Sequence, residues 1–566
     1  MPVYLFDLSA EGQMKITRRD SMRLVALGAV AAAFPTSSVG QANRIRLPLH
    51  EFVEDQRLLS CLRKGVKAMK ARKPSDPLSW FFQASIHGVT EHLWKEAAKD
   101  DPGVLSVNQA KYWNQCPHKG ENSANFLPWH RGYTHHFEEI LRTHTEEDDF
   151  AIPYWDYSIA KQRTFPQAFG IEHLDGNFQN DAPDNINPLF HADRDNYLCG
   201  YEHPLTDQLP LADLSVRAVD TSRVMDCPVF FGTTESNSVG GGIYDNDATT
   251  RGLLEQSPHD QIHRAVGGSV SGIDNDGNPT SSVGGMAYPP TAGFDPIFPV
   301  HHSNIDRLWV VWASMPGKQW GVMPDDAWFE EKPWFFFDTA GKEVNRSRRD
   351  YFDHRALGVR FKDENLSIEP LPLPPRTGQV VMAAASSLMA KRSSAAVAIG
   401  TEIDAPTSAP TRLALSTLSD AAGPDNRTFN RLALGASRDR VIITLKGLNI
   451  SMTGNWGFDV FLVPRDKQDP LPDAASPQNV GSISLFNHVG DPAAPIDQRF
   501  DITDALAALG TNDIAGLDVL LVPYNLTTSA KAAPADQPSI TLKGDGLVIS
   551  REAPGLATQA MPHQHQ

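Results

Sequence analysis

Histidines constrain the fold of this chain more than any other feature, because several stand on predicted helices that are far apart in the sequence. The segment "SPHDQIHRAVGG" places His259 and His263 four residues apart, which puts them one above the other on a helix face. Ser257 and Pro258 predict the start of this helix, and the glycine pair after Val266 predicts its end. Two stacked imidazoles form half a metal site, although a solvated helix face is the better explanation of this segment taken alone.

A second histidine-bearing helix follows in "DPIFPVHHSNIDRLWVVW". Asp295 and Pro296 predict its start as an N-cap and a first helical residue. His302 and Asp306 share one face of this helix, and His301 points in another direction. One histidine of the pair can therefore join the two on the preceding helix, and the other can support it.

The N-terminal half supplies a matching set of histidines. The segment "PSDPLSWFFQASIHGV" predicts a helix with Asp76 as its N-cap and Pro77 at its first position. The segment "NFLPWHRGYTHHFEEIL" predicts another helix, which starts near Pro128 and carries a histidine in its first turn. Between them lies "NQCPHKG", so a second group of three consists of His87, His118 and His130.

The residue types narrow the metal that two such groups could bind. Structural zinc is usually held by cysteines, and di-iron sites in helical bundles take mostly carboxylates. The zinc protease pattern requires His-Glu-x-x-His, whereas the residue after His259 is Asp260. Sites made of imidazole alone suit copper or zinc.

Three of these segments are recognisable together. The strings "FLPWHR", "PHDQIH" and "DPIFPVHHSNIDRLW" closely resemble the copper-A and copper-B motifs of type-3 copper proteins, which comprise tyrosinases, catechol oxidases and hemocyanins. The resemblance spans roughly residues 75–365 and is closest to bacterial tyrosinases that keep a C-terminal domain. It implies two copper ions, with copper A on His87, His118 and His130 and copper B on His259, His263 and His302.

The resemblance also suggests roles for residues around the two copper ions. Several family members join a cysteine to the histidine two residues later through a thioether, and here these residues are Cys116 and His118. His301 becomes a residue that supports a ligand or the wall of the substrate pocket. Arg264, after the second copper-B histidine, could guide a substrate carboxylate or could be a surface residue.

Proton handling is implied for a glutamate and its neighbour. In the family, a glutamate near the site and an Asn after the first copper-B histidine position a water for phenol deprotonation. Glu255 occupies the glutamate position, and Asp260 stands where Asn is usual. An ionised aspartate can accept a proton or a hydrogen bond but cannot donate as Asn does, so it either strengthens proton removal or repels acidic phenols. Simple charge compensation at the helix N-terminus is the alternative role.

The resemblance therefore implies a tyrosinase, which uses O2 to hydroxylate monophenols to o-diphenols and to oxidise these to o-quinones. A catechol or o-aminophenol oxidase without efficient hydroxylation is the first alternative, because of Asp260. A hemocyanin-like oxygen carrier is an alternative of another class. Small phenols and O2 are the expected partners, and the natural phenol and the oligomeric state stay open.

The chain divides into regions of different character. We expect a mainly α catalytic domain over 43–368, in which a four-helix bundle with long loops holds the dicopper centre. A linker rich in Pro, Ala and Ser over 369–397 should be exposed to proteases. Short alternating runs over 398–552 predict an antiparallel β-sandwich, similar to the shielding domain of latent polyphenol oxidases, and 553–566 should be a disordered tail.

The N-terminus and the composition bear on where the protein works. Residues 1–42 contain Arg18-Arg19 before a short apolar run, which is similar to a twin-arginine export signal. We therefore expect an exported protein, periplasmic or extracellular, without a membrane span after processing. A net charge of −17 with no basic face argues against nucleic-acid binding. Cys199 and Cys227 could pair after export.

Overall fold

The structure is a computed structural model of the 566-residue chain. The export signal, His118 and the C-terminal tail, with the predictions made for them, lie outside the described residues. The residues that the structure describes are 44–117, 123–177, 179–199, 212–232, 238–242, 251–273, 279–321, 323–368, 370–376, 396–399, 403–406, 409–415, 440–451, 456–466, 471–473, 476–483, 486, 496–511, 514–528, 539–542 and 546–552.

The first part of the chain is mainly helical. Its strands are two to five residues long and pair in twos, so they connect helices rather than build a sheet core. Its α-helices are α1 (Leu49–Glu54), α2 (Gln56–Lys70), α3 (Trp80–His87), α4 (Glu91–Asp100), α5 (Gln109–Tyr112), α6 (Phe126–Thr143), α7 (Gln167–Gly170), α8 (Asn196–Cys199), α9 (Ser222–Asp226), α10 (Asp260–Gly267), α11 (Pro289–Ala292), α12 (Phe298–Ala313) and α13 (Asp326–Glu330). Its strands are β1 (Ile45–Arg46), β2 (Val229–Phe231), β3 (Ser269–Ile273), β4 (Pro279–Val283), β5 (Gln319–Gly321), β6 (Phe336–Phe337), β7 (Glu343–Val344) and β8 (Arg360–Phe361).

Helices α6 and α12 form the centre of this helical region. Most of their residues are buried, including polar ones, so both helices are surrounded by protein on nearly all sides. Arg131 on α6 bonds Asp306 on α12 at 2.6 Å, and Arg46 on β1 bonds the other oxygen of Asp306 at 3.3 Å. This buried charge network ties the two helices together and sets the relative position of the histidines that they carry.

Three of the histidine-bearing helices begin two or three residues later than the sequence predicts. The proposed caps Asp76, Ser257 and Asp295 each precede a turn, and α3, α10 and α12 start at Trp80, Asp260 and Phe298. The side chain of Ser79, rather than Asp76, caps α3 by accepting from Phe82 N at 3.0 Å. Asp76 accepts from Leu78 N and Asp295 from Ile297 N, both at 2.9 Å, so these two carboxylates cap turns instead of helices.

The end of α10 agrees with the prediction. The helix stops at Gly267, and Gly268 follows with a φ of +56°, a conformation that glycine adopts without steric cost.

The C-terminal region is built of strands. Its strands are β9 (Ala396–Ile399), β10 (Ile403–Pro406), β11 (Thr411–Ala414), β12 (Arg440–Ser451), β13 (Trp456–Pro464), β14 (Asn479–Ile483), β15 (Ile496–Asp501), β16 (Leu517–Asn525), β17 (Ser539–Leu542) and β18 (Leu547–Glu552), with one helix, α14 (Thr503–Leu509). One antiparallel sheet has the order β10-β17-β12-β18-β9 with β15 also paired to β12, and the other has the order β11-β16-β13-β14.

The two C-terminal sheets enclose a common apolar core. Ile443 on β12 and Ile549 on β18 belong to one sheet, and Val460 on β13 and Val519 on β16 belong to the other. All four are buried in the same cluster, so the two sheets pack face to face. The helical core and the C-terminal β region predicted from the sequence are both confirmed.

The beginning of the proline-rich linker is bound to the helical region instead of being exposed along its whole length. The Trp320 indole donates to Pro372 O at 2.7 Å, and Arg349 donates to Pro374 O at 2.8 Å. Leu371 N donates to Ala313 O at 2.7 Å. The rest of the predicted linker up to residue 395 lies outside the described residues.

The suggested pairing of Cys199 with Cys227 is wrong, because both thiols are free. Cys199 Sγ lies 3.9 Å from Val266 O, and Cys227 Sγ lies 3.5 Å from Val229 O, so the two thiols occupy different environments.

In the described part of the chain, no helix combines the length and the apolar character that a membrane crossing requires.

Candidate metal centre

The four histidines of the second half converge at one place. His259 directly precedes α10, His263 lies one turn into that helix, and His301 and His302 lie in the first turn of α12. Ring nitrogens of all four lie within 4.8 Å of one another, and all four side chains are buried. His263 Nε2 and His302 Nε2 are 3.2 Å apart, which is close to the separation of two imidazole nitrogens on one metal ion.

The first half contributes a second cluster. His87 ends α3, His130 lies on α6, and the thiol of Cys116 joins them, with ligand atoms again within 4.8 Å of one another. Cys116 Sγ lies 3.4 Å from His130 Nε2. Cys116 therefore lies at the site, whereas the predicted third histidine, His118, and its thioether lie outside the described residues.

The two clusters are neighbours and form one centre. The rings of His130 and His302 are stacked, with centroids 4.3 Å apart and an angle of 9° between their planes. The His130 and His259 centroids are 5.9 Å apart, and those of His87 and His302 are 6.4 Å apart. Two metal ions bound by these clusters would therefore share one buried cavity.

Hydrogen bonds donated by Nδ1 orient three of the histidine rings. His130 donates to Phe126 O at 2.7 Å, His263 donates to Met286 O at 2.8 Å, and His259 donates to the Asp260 carboxylate at 2.8 Å. With Nδ1–H engaged in this way, Nε2 is the ring nitrogen that can bind a metal. The partner of His259 is charged, whereas the other two partners are backbone carbonyls.

Burial keeps the imidazoles in their metal-binding form. It lowers the pKa of His87 and of His301 to about 3, and it lowers the pKa of His130, His263 and His302 well below the usual value. Neutral imidazole is the form that binds a metal ion, so no proton competes at neutral pH. A buried donor set of imidazoles with one thiol fits copper.

His301 lies nearer to the centre than the sequence predicts. The helix face argument directs it away from His302, yet one of its ring nitrogens belongs to the group of four. His301 and His302 are the fourth and fifth residues of α12, and the N-terminal end of this helix lies at the site. Their side chains can therefore both reach the histidine cluster, although they leave the helix axis in different directions. The Tyr157 hydroxyl and His301 Nδ1 are within hydrogen-bonding distance, at 3.4 Å.

The two predicted proton-handling carboxylates meet at an arginine that sequence reasoning missed. Arg251 Nε donates to Glu255 at 3.0 Å, and Arg251 Nη2 donates to Asp260 Oδ2. Burial raises the pKa of Glu255 to about 7, with Arg251 opposing and Asp260 adding to the rise. The available signal was the spacing of four residues between Arg251 and Glu255, which is weak by itself.

Aromatic rings cover the centre. Phe126, the first residue of α6, packs edge-on to His259 at 4.6 Å between ring centroids. Phe298 packs against His302 at 4.2 Å and against His87 at 4.6 Å. Phe486, which follows β14 in the C-terminal region, is stacked on His263 at 4.2 Å. Sequence reasoning missed Phe486, because no local pattern predicts that a residue in a distant region reaches the site.

Arg264, the predicted guide for a substrate carboxylate, is buried. Burial lowers its pKa to about 10, and the charges of Tyr524 and Asp260 act in the opposite direction. Tyr524 lies on β16, so the C-terminal region faces Arg264 in this structure. An arginine on the free surface, the alternative interpretation, is therefore wrong.

Comparison with known proteins agrees with these motifs. Residues 77–315 match the common central domain of tyrosinase. Over this domain the chain is similar to tyrosinases and polyphenol oxidases. It is 29% identical to tyrosinase HcTyr1 of Hahella sp. over 334 residues, which cover 56% of this chain and 63% of that protein. It is 24% identical to a chloroplastic polyphenol oxidase of Malus domestica over 502 residues, which cover 85% of this chain and 75% of that protein.

The likeness in fold includes the C-terminal region. The structure of latent apple tyrosinase matches with a TM-score of 0.52 at 20% identity, over 90% of this chain and 97% of that one. Latent aurone synthase, also a polyphenol oxidase, matches with a TM-score of 0.50 over 90% of both chains. Enzymes of the tyrosinase family are oxidoreductases with a dinuclear copper centre, and the two histidine clusters provide the imidazoles for one.

Proposed function

We propose that this chain is a type-3 copper oxidase that uses O2 to hydroxylate monophenols to o-diphenols and to oxidise o-diphenols to o-quinones. The observation that carries the proposal is the contact between the two histidine clusters, in which His130 and His302 stack at 4.3 Å. Two separate mononuclear sites would not require ligands of different clusters to touch. A centre with two ions side by side does bring ligands of the two ions close together.

Five of the six proposed metal ligands lie on or directly beside four helices, α3, α6, α10 and α12, which would form the bundle around the copper pair. We assign His87, His118 and His130 to copper A, and His259, His263 and His302 to copper B, with His301 as a supporting residue. Copper bound there would supply the reaction with O2 and the transfer of electrons. The protein holds the imidazoles neutral through burial and turns their Nε2 atoms towards the centre through the Nδ1 hydrogen bonds.

Proton transfer from the phenol is assigned to Glu255. Its pKa of about 7, raised by burial, is suited to accepting a proton near neutral pH. Arg251 bonds both Glu255 and Asp260, so the charge of one carboxylate affects the other through a shared guanidinium. We assign Asp260 a supporting part in this step, because His259 and Arg251 engage its two oxygens.

Oxygen uptake by the copper-loaded protein tests this function, with p-cresol and 4-methylcatechol as a matched monophenol and diphenol. We expect uptake with both and formation of the same quinone. Uptake with 4-methylcatechol alone would identify a catechol oxidase, which the engagement of Asp260 favours as the second candidate. Reversible O2 binding without uptake on either compound would identify a carrier.

We further propose that the intact chain is latent, with the C-terminal region covering the dicopper centre. Phe486 supports this, because its ring lies where an aromatic substrate would approach: it is stacked on His263 at 4.2 Å and lies 5.6 Å from His259. Its side chain is fully buried. A phenol could not reach these rings while Phe486 remains there.

Polar contacts hold the C-terminal region in this position. Arg217 binds the Asp459 carboxylate of β13 with two nitrogens, one of them at 2.5 Å, and also binds Asp220 at 3.0 Å. Ser215 N donates to Leu526 O at 2.8 Å. A bidentate ion pair shielded from water holds its geometry well, so this contact suits a latch between the two regions.

Two treatments of the full-length protein test latency. The variant Phe486→Ala should raise oxygen uptake on 4-methylcatechol without any cleavage. A protease that cuts within residues 377–395 should raise it in the wild type as well. Unchanged uptake after both treatments, at equal copper content, would contradict latency.

The remaining assignments rest on the sequence. We propose that residues 1–42 direct export and that Cys116 and His118 form a thioether. Mass spectrometry of a tryptic digest tests the cross-link, because the thioether lowers the summed mass of the two residues by two hydrogens. Two unlinked residues would contradict it.

A further inference from the structure

The hydrogen-bond partner that orients the ring of His259 is of a different kind from the partners of His130 and His263. His130 and His263 donate to backbone carbonyl oxygens, whose positions are set by the chain itself. His259 donates to a carboxylate, that of Asp260, at 2.8 Å. A charged partner raises the basicity of the ring more than a carbonyl does, and it needs a compensating charge of its own when it is buried.

Arg251 provides that compensating charge. Asp260 is completely buried, and the Arg251 side chain is 7% exposed, so water cannot neutralise the carboxylate. Arg251 Nη2 donates to Asp260 Oδ2 while Asp260 Oδ1 accepts from His259. The three side chains thus form a chain of charge-assisted hydrogen bonds that ends at a proposed metal ligand.

The same arginine also spans a break in the backbone next to the ligand. Residues 255–259 form a wide helical turn, and Ser257 within it has the non-helical dihedrals φ −152° and ψ 128°. Arg251 binds Glu255 before this break and Asp260 after it. The planar guanidinium therefore fixes the direction of α10 relative to the preceding turn, and His259 stands at the junction.

We propose that Arg251 is a positioning residue for the copper ligand His259 and that it acts through Asp260. The inference rests on the proposed function, since it requires that the histidine cluster binds copper. Removal of Arg251 takes away the guanidinium that binds Asp260 Oδ2, and the carboxylate then turns towards other donors and releases His259. Copper B should therefore be affected and copper A should not.

The test measures copper binding by the full-length protein rather than its activity. Equilibrium dialysis against a chelator of known affinity gives the number of copper ions per chain and their affinities. We expect two ions in the wild type, and in Arg251→Ala one tightly bound ion and a second bound about 10- to 100-fold more weakly. Methylguanidinium added to Arg251→Ala should restore the second ion, because it replaces the missing group.

A matched control is available on α6. Arg142 also binds two carboxylates, Glu138 at 2.8 Å and Glu139 at 2.6 Å, and its side chain is 6% exposed. It lies twelve residues after His130, or about 18 Å along the helix. Arg142→Ala should lower the thermal midpoint of the copper-free protein and leave two copper ions bound.

A double variant shows whether the effect passes through Asp260 and also serves if Arg251→Ala alone does not fold. In Asp260→Asn/Arg251→Ala, the amide oxygen still accepts from His259 but needs no cation. We expect this variant to bind the second copper ion more tightly than Arg251→Ala, or to fold where the single variant does not. Equal or weaker binding in the double variant would contradict the proposal.

The outcomes separate this inference from the proposed function. A wild type that binds fewer than two copper ions would contradict both. A wild type and an Arg251→Ala variant that both bind two ions with the same affinity would contradict only the role of Arg251. If Arg142→Ala lost as much copper as Arg251→Ala, the loss would reflect general destabilisation of the protein. That result would overturn the proposed positioning role of Arg251.

Discussion

At the scale of single residues, adjacent side chains with the same chemistry have different surroundings. His302 Nε2 faces His263 Nε2 at 3.2 Å and its ring stacks on His130, whereas His301 Nδ1 lies 3.4 Å from the Tyr157 hydroxyl. His302 is thus in contact with both clusters. We infer that His302 is the ligand and that His301 holds the wall of the cavity.

This difference predicts unequal copper contents for two single variants. His302→Gln should leave about one copper ion per chain, because an amide is a poor replacement for imidazole at copper. His301→Gln should keep both ions, since its partner is a tyrosine. Atomic absorption on dialysed protein measures the contents. Equal losses in the two variants would show that His301 is a ligand as well.

A second prediction at this scale concerns stability in acid. Glu364 is buried, which by itself would raise its pKa, but hydrogen bonds from His354 at 3.1 Å and Arg355 at 2.8 Å lower the pKa to about 2. A lowered carboxyl pKa contributes stability that is present above the unfolded value near 4.5 and is lost as the pH falls towards 2. Glu364→Gln should cost roughly 1–3 kcal/mol at pH 6 and much less at pH 3.

The thermal midpoint of both proteins at pH 6 and pH 3 checks this prediction. Glu91→Gln is the control, because Glu91 pairs with Lys95 on an exposed helix, where ion pairs contribute little. A Glu364→Gln midpoint that differs from the wild type equally at both pH values would contradict the assignment.

At the scale of elements, the close approach of backbones decides where the ligand helices lie. Gly267 ends α10, and a Cβ atom at this position would stand 2.1 Å from Ala287 N. The contact is to backbone, which cannot move aside as a flexible side chain can. The position of His259 and His263 therefore depends on a glycine at the other end of their helix.

Gly267→Ala should consequently disturb the metal centre from a distance. We expect a loss of roughly 1–3 kcal/mol in stability, as for overpacked cores, together with weaker copper binding. Gly516→Ala is the control, since a Cβ atom there would meet no atom within 4 Å. The thermal midpoint with and without copper measures both effects. A Gly267→Ala variant with the wild-type midpoint and two copper ions would contradict this account.

Helix starts show the same influence of tertiary contacts. Each of the pairs Asp76-Pro77, Ser257-Pro258 and Asp295-Pro296 is a reasonable local start signal, yet each helix begins later. Asp295 instead binds Arg194, with both side chains buried and the shortest contact at 2.6 Å. The same carboxylate accepts from Ile297 N, so it closes the turn before α12 instead of capping the helix.

At the scale of the whole molecule, the C-terminal region is in contact with the metal centre that it would regulate. Asp459 accepts two hydrogen bonds from Arg217 and a third from Ser482 at 2.9 Å. Arg217 also lies over the Tyr524 ring, 5.4 Å from its centroid. These contacts join the helical region to both β13 and β16, so the latch and the covering residue Phe486 belong to one interface.

Asp459→Asn should therefore raise the oxygen uptake of the uncleaved chain. Replacing a charge-assisted pair by a neutral one weakens the latch by about 1.5–3 kcal/mol. The fraction of open molecules should rise about 10- to 100-fold while the closed form still dominates. Asp518→Asn is the control, because Asp518 binds Arg412 and Arg465 within the C-terminal region. Equal uptake by the two variants would contradict the latch.

The metal-binding side chains of this protein could be predicted from its sequence alone. Three motifs predicted helices with imidazoles on defined faces: the spacing of His259 and His263, the histidine pair before Ser303 and the string "FLPWHR". The same motifs indicated the protein family that the chain resembles. Alternating strands likewise predicted the C-terminal β region. Such features follow from periodicity and local bonding, which a sequence contains.

The contacts between side chains of distant segments could be seen only in the three-dimensional fold. The stacking of His130 on His302, the sharing of Arg251 by Glu255 and Asp260, and the placement of Phe486 on His263 join residues of distant segments. Packing and buried charge fix these contacts, and no local pattern encodes them. The sequence therefore indicated a copper centre, and the fold specified its orienting groups and its cover.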